Sequence, residues 1–283
     1  MNTDNVRKLY VESTAHVRGK FGQNAAGASK HYSRYIAFVM AHVPCASARI
    51  LDVGCGNGWS TYFLQASGHR AEGCDLHNGP LEVHDFAPSL RYTCADAQKL
   101  PFGNNVFDVV CMHAVLEHIP NPMEALAEAT RVLSPNGRLV IVGPHLLSIG
   151  VATRCLAVES SKALIGKSHW VRTPTMPRHP FGNTIPEVYW HFGHHMWMTW
   201  KKLFDKRPVD FLMREPDLLP PFHADNDSCY YCNPIDIVRW ARQSSDVRPI
   251  RWWAMDRFAS RLSWFMAGGT WVVLEKTPRD TSY

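Results

Sequence analysis

The stretch Arg49–Ser60, RILDVGCGNGWS, constrains this chain most. A short apolar strand (Ile50, Leu51, Val53) runs into a turn with Gly54, Gly56 and Gly58 at alternate positions, and a helix follows. Glycine at that spacing admits backbone angles closed to other residues and lets the main chain press against a flat ligand. The alternation differs from the G-x-G-x-x-G of dinucleotide binders, because Trp59 stands where the third glycine falls. Asp52 lies at the strand end, where a carboxylate suits a cationic ligand group and opposes a pyrophosphate.

A strand–turn–helix unit of this kind needs neighbours, and the chain supplies them in order. Ser29–His42 reads as a helix, with Tyr32, Tyr35, Ile36 and Val39 at helical spacing and Ser29 as its cap. Trp59–Ser67 is the first crossover helix, stopped by Gly68. Strands are expected at His69–Leu76, Leu90–Cys94, Val106–Met112 and Arg138–Gly143, with a short helix at Pro80–Phe86 and an amphipathic one at Met123–Leu133. Asn104–Asn105 and Pro135–Gly137 read as turns. The near-continuous apolar run of VFDVVCM suits a strand buried on both faces. Strands alternating with helices at this rhythm give an α/β fold with a parallel, doubly wound sheet. Asp75 ends the second strand, 23 residues beyond Asp52. That is where a βαβ unit sets an acid beside a ribose.

These residues together resemble the class I S-adenosylmethionine-dependent methyltransferases of the small-molecule kind. The likeness rests on DVGCGNG (52–58), Asp75, CADAQKLPFGNNVFDVV (94–110), LEHIPNP (116–122) and RVLSPNGRLVIVGP (131–144), all in the family's order. It covers about 30–144 and resumes at 232–276. The resemblance implies a Rossmann-like sheet of seven strands whose last strand is antiparallel. It also implies S-adenosyl-L-methionine as cofactor, held in part by Asp52 and the turn Gly54, Cys55, Gly56 and Gly58 against its methionyl part, with Asp52 facing the ammonium directly or through water. Asp75 is expected on the ribose hydroxyls and Leu76 on the adenine face. Asp96 is expected on the adenine amino group, with Ala97 offering a backbone N–H. His113 is expected to approach the reactive methyl region mainly through its backbone, and Tyr32 to lie over the cofactor carboxylate. Asp52 and Asp75 also admit plainer readings, as a turn residue and a solvated strand end. Glu117 and His118 read as positional, capping and packing around their loop.

After Pro144 the rhythm stops. The expected organisation is a mobile lead-in over 1–28, the cofactor core over 29–144, a helical insertion after the fifth strand over 145–228, the rest of the core over 229–276, and a tail over 277–283. The insertion is expected to form a substrate lid, with helical pieces near Leu146–Ile165 and Glu187–Phe204. Its reaction would be in-line transfer of a methyl to a small-molecule acceptor, which chiefly requires alignment and exclusion of water. A hydroxyl acceptor, as in glycan, lipid-linked sugar or secondary metabolism, calls for a base. His145 is the first candidate and His113 the second, because histidine titrates near neutrality. Nitrogen or carbon acceptors, a catalytically silent cofactor-binding partner, and a nicotinamide oxidoreductase are the competing readings. Misplacement of the third glycine opposes the last.

In EVYWHFGHHMWMTWKKLF (187–204), Trp190, Trp197 and Phe204 repeat every seven residues beside Tyr189, Met196 and Leu203. The face so formed is expected to pack on the core or cover the crevice. A greasy substrate pocket, or a peripheral membrane or lipid contact through 187–207, is the sharper alternative, helped by Lys201, Lys202, Lys206 and Arg207. His191, His194 and His195, with Cys229 and Cys232, invite a zinc reading, but Gly193 weakens the helix and no carboxylate joins, so no metal is expected. CYYC reads better as the lead-in to a helix at Pro234–Arg242, with the last strands at Val247–Trp252 and Thr270–Glu275. The net charge of +5 is mild and no long basic block occurs, so nucleic acid is not an expected partner. No apolar leader precedes the core, and several of the eight cysteines fall in strands, so a cytoplasmic location with reduced thiols is expected.

Overall fold

The computed structural model describes Lys8 and residues 25–76, 82–164, 185–204, 209–213, 216, 227–252 and 269–278. Its strands are β1 (Arg49–Val53), β2 (Arg70–Asp75), β3 (Arg91–Cys94), β4 (Phe107–His113), β5 (Leu133–Pro144), β6 (Val247–Trp252) and β7 (Gly269–Lys276). Its helices are α1 (Ala25–Met40), α2 (Trp59–Ala66), α3 (Pro122–Val132), α4 (Ile149–Ala163), α5 (Ile185–Phe204) and α6 (Pro234–Gln243). The strands form one sheet in the order β3-β2-β1-β4-β5-β7-β6. β1 pairs in parallel with β2 and β4, and β7 runs antiparallel to both β5 and β6.

The period of two along each strand divides the core into two layers. Leu51, Val53, Val110, Met112, Leu139, Ile141, Val272 and Leu274 face one side, where α3 (Ala125, Leu126, Ala129) and α6 (Ile237, Val238, Ala241) cover them. Ile50, Val109, Cys111, Val140, Val142 and Val273 face the other, beneath α1 (Ala28, Tyr32, Tyr35, Val39) and α2 (Trp59, Leu64). Both α3 and α6 start the same way: an asparagine caps and a proline follows. The Asn121 Oδ1 accepts from Glu124 N (3.4 Å), and the Asn233 Oδ1 accepts from Asp236 N (3.0 Å).

The doubly wound, seven-stranded reading holds, with differences at element ends. α1 starts at Ala25 rather than Ser29, so Gly27 sits in its first turn and Ser29 is helical, not a cap. The buried stripe of Ala28, Tyr32, Tyr35 and Val39 outweighs one helix-weakening glycine. The short helix expected at Pro80–Phe86 is a 3-10 turn over Glu82–Asp85. The turn at 135–137 lies inside β5, as a kink in the ladder: Phe107 pairs with Leu133 and Val109 with Arg138. Asn136 takes φ 62° there. The insertion has its two helices, α4 and α5, and an isolated bridge joins Met213 to Tyr230. Apart from Lys8, the lead-in over 1–24 lies outside the described residues, as do Lys206, Arg207 and the end of the tail.

One buried cation locks the far end of the sheet. Lys276 Nζ, on β7, donates to the carbonyls of Thr130 (2.8 Å), Arg131 (3.3 Å) and Leu133 (2.7 Å) and to Asn105 Oδ1 (2.8 Å). It satisfies the open carbonyls at the end of α3, where a positive charge also matches the helix dipole. Lys276→Met should lower unfolding free energy by at least about 2 kcal/mol, because several buried acceptors lose a charged donor together. Urea unfolding measures it, and an unchanged midpoint would refute the role.

Candidate functional site

The strand order reverses between β1 and β4, and the crevice of such a sheet opens at the carboxyl ends of those strands. The glycine turn occupies that position. Gly54, Gly56 and Gly58 all adopt left-handed backbone, with φ of 72°, 54° and 86°. At Gly54 a side chain is excluded twice, by φ and by Val115, whose Cγ2 would lie 2.2 Å from an added Cβ. The turn is fastened to β2: the Gly54 and Cys55 N–H groups both donate to the Cys74 carbonyl, at 2.8 and 3.1 Å.

Asp75 does more than end β2. Its Oδ2 accepts the Gly56 N–H at 2.8 Å, so the carboxylate and the turn hold each other in place. Asp96, just beyond β3, takes two bonds at Oδ1, from the backbone and side-chain nitrogens of Gln98 (2.9 and 3.1 Å). Leu76 and Ala97 follow these two strand ends, both half-buried. Two carboxylates and a turn of left-handed glycines therefore line one edge of the crevice. Such a set suits hydroxyls, an amino group and a cationic ligand, and repels phosphate.

Asp52 is held from within the protein. It is almost wholly buried and both oxygens are taken inside the protein: Oδ1 by Tyr35 (3.2 Å) and Cys111 (3.6 Å), Oδ2 by Ser60 (2.6 Å) and Thr61 (2.8 Å). Burial pushes its carboxyl pKa up, and these donors only partly pull it back. These bonds tie β1 to the helix that follows the turn. Cys55 likewise turns inward, and burial pushes its thiol up, which keeps it protonated.

The far wall is aromatic. The His113 ring stacks on Tyr35 (4.4 Å, 24°) and meets Tyr32 (5.6 Å) and His31 (6.0 Å) edge-on. Burial, then the neighbouring His31, lowers the His113 pKa to about 4. It is a neutral wall residue and a weak base. His145, the other expected base, is 1% exposed, whereas the side chain of His118 is 19% exposed. His118 lies between two acids: its Nδ1 is 3.5 Å from Asp227 Oδ2 and its Nε2 is 3.8 Å from Glu117 Oε1. The strap over 227–233 docks on the same turn, since Cys229 N and Tyr230 N donate to the Glu117 carbonyl at 2.6 and 3.0 Å.

Sequence reasoning missed Asp227, which is far from LEHI along the chain. It also missed Gly73, where an added Cβ would meet Cys55 Sγ at 2.7 Å and Thr61 Oγ1 at 2.8 Å. No local pattern marks a glycine in mid-strand as the floor of a neighbouring turn. The histidines of α5 stay apart: His195 packs inward, His194 stacks on Trp190 (5.6 Å), and the His191 side chain is outside the described residues. Among the described residues no cluster of three or more His, Cys, Asp or Glu could hold a metal.

Residues 51–141 match the family model described as a methyltransferase domain. That match spans the turn, both crevice acids and the first five strands. Over these residues the chain is similar to methyltransferase domains. A demethylmenaquinone methyltransferase of Clavibacter sepedonicus is 37% identical over 110 residues, 38% of this chain and 45% of that protein. A ubiquinone biosynthesis O-methyltransferase of Methylococcus capsulatus is 35% identical over 106 residues, 35% of this chain and 45% of that protein. The chain thus spans under half the length of these curated relatives. Among solved structures, an S-adenosylmethionine-dependent methyltransferase from Mesorhizobium loti aligns over 89% of this chain and 100% of its own, with 15% identity and a TM-score of 0.54. That likeness supports the fold. The match ends at Ile141, inside β5, so α4, α5 and the strap over 227–233 lie outside it.

The lowered pKa of His113 makes a checkable statement about pH. Below its ordinary value of 6.5 the unfolded chain takes a proton there that the folded one refuses. Stability from this group is therefore complete above pH 6.5 and declines toward pH 4, by roughly 3 kcal/mol at most. His113→Phe keeps the stack and should flatten that part of the profile; urea unfolding of both proteins at pH 7 and near pH 4.5 gives the difference. An NMR titration midpoint for His113 near 6.5 would contradict it.

Proposed function

We propose that the chain is an S-adenosyl-L-methionine-dependent methyltransferase acting on a small-molecule acceptor. The observation that carries this reading is the mutual lock of Asp75 on the Gly56 N–H (2.8 Å) beside a second strand-end acid, Asp96. In this reading Asp75 holds the ribose hydroxyls and Asp96 the adenine amino group, with Leu76 and Ala97 against the base. The turn over Gly54–Gly58 lies along the methionyl part. The cofactor supplies a methyl already activated by a positively charged sulfur, so no metal is needed for the transfer.

The chain's own residues then have three tasks. The acids and glycines fix the donor's position. Tyr32, Tyr35 and the uncharged ring of His113 give a wall that keeps water from the reacting end without adding positive charge beside a sulfonium. The insertion, α4 and α5, closes the acceptor side as a lid.

The acceptor proposed is a hydroxyl-bearing molecule in a biosynthetic pathway. The names of the two curated relatives favour a quinone-type acceptor over a sugar, and one of the two is an O-methyltransferase. Deprotonating it needs a base that can reach it. His145 is enclosed at the start of the insertion, while His118 is open on one side and flanked by Asp227 and Glu117. The reading therefore moves the base from His145 to His118, whose ring has an acid on each side, Asp227 toward Nδ1 and Glu117 toward Nε2.

Two measurements test this. Asp75→Ala should weaken S-adenosylmethionine binding by about 1–3 kcal/mol in calorimetry, the scale of a hydrogen bond to a charged group; binding of NAD in place of S-adenosylmethionine would overturn the reading. With a catechol-type acceptor, His118→Ala should cut kcat by about a hundredfold and leave cofactor affinity unchanged. His145→Ala should retain its rate per folded molecule, and the reverse pattern would return the base role to His145.

A further inference from the structure

Helix α5 is built inside out. Along its 20 residues, Val188, His195, Met198, Thr199 and Lys202 lie on the inner side. The polar part of that side is bonded: Thr199 Oγ1 donates to the Leu147 carbonyl (2.9 Å), and Lys202 Nζ pairs with Asp236 (2.8 Å) at the start of α6. The opposite side carries the large aromatics, and they face solvent. Tyr189 is 56% exposed, Trp197 53%, Trp200 61% and Phe204 66%. At 100° per residue these four fall within an arc of about 80°, with Gly193 between them. The expectation that this face packs on the core is therefore not met. What sits inward is the ion-paired side.

An exposed face of this kind invites an occupant. We propose that the outer face of α5 seats on an anionic lipid surface, with the helix lying in the plane of the interface. Three observations favour lipid over a protein groove. The residues are Trp, Tyr and Phe rather than the Leu and Ile of a helix seam, and aromatic rings of that kind concentrate at the boundary of hydrocarbon and water. The flank is cationic: Lys201 Nζ lies 5.2 Å from the Trp197 ring centre, and the sequence after α5 continues with Lys206 and Arg207 against one acid, Asp205. The four aromatics extend along about 22 Å of helix as one strip. Among the described residues no helix is long and apolar enough to cross a bilayer, so the contact is a surface one. Packed against α5, α4 adds exposed Val158, Leu164 and Arg154 to the same insertion.

The inference does not rest on methyl transfer, and its test is separate. The full chain is mixed with vesicles of phosphatidylcholine alone or of phosphatidylcholine with phosphatidylglycerol, and sedimented. The protein should follow the anionic vesicles, less so as salt is raised. Trp197→Gln with Trp200→Gln should lower that partition by about tenfold or more, as two exposed rings lose an apolar resting place. Lys201→Glu should lower it on anionic vesicles and leave phosphatidylcholine binding as it was. All three side chains are exposed, so circular dichroism and S-adenosylmethionine binding should match the parent protein. The proposal fails if the parent stays in the supernatant with both vesicles. It fails equally if the double variant partitions like the parent. Self-association in sedimentation velocity that the double variant abolishes, without vesicle binding by the parent, would assign the face to a second copy of this chain and overturn it.

Discussion

The buried carboxylate of Asp52 is the point on which the domain is hung. It belongs to β1, and its donors come from α1 (Tyr35), α2 (Ser60, Thr61) and β4 (Cys111). Removing a charge from water costs several kcal/mol, and each bond to it returns roughly 1.5–3. Its upward pKa shift says that burial still wins over these donors. The residue is therefore an internal strut. What it secures is the start of α2, and with it the backbone angle of Gly58, the residue that caps that helix in left-handed conformation.

From that strut the crevice follows in steps. The fixed start of α2 sets the glycine turn, the turn offers the Gly56 N–H, and Asp75 takes it. Gly73 lets the turn sit down on β2 because its missing side chain leaves room for Cys55 and Thr61. Three aspartates that look alike along the sequence differ in burial: Asp52 at the end of β1 is enclosed by protein donors, while Asp75 and Asp96 at the ends of β2 and β3 are half-buried.

The sheet was legible because parallel strands buried on both faces read as apolar runs, and Val106–Met112 is one. The order of motifs carried the rest of the core. Illegible were the features made by residues distant in sequence: the donors around Asp52, the floor at Gly73, and the contact of His118 with Asp227 across more than a hundred residues. The burial of His145 was illegible for the same reason, since a histidine directly after a strand end looks exposed along the sequence. Leu146 N donates to the Cys232 carbonyl at 2.9 Å.

α5 misled the periodicity argument in an instructive way. An aromatic stripe every seven residues reports that one face is apolar, but not which way it points. Direction is fixed by the other face. Lys202 pairs with Asp236, and Asp236 also accepts from Asn233 Nδ2 (2.9 Å) and Tyr230 OH (3.3 Å) at the root of α6. Removing either partner of such a pair leaves a buried charge, at a cost of about 3–5 kcal/mol. The ion pair therefore holds the polar side of the helix inward, opposite the aromatics. It also ties the insertion to α6, the helix that begins the last part of the core.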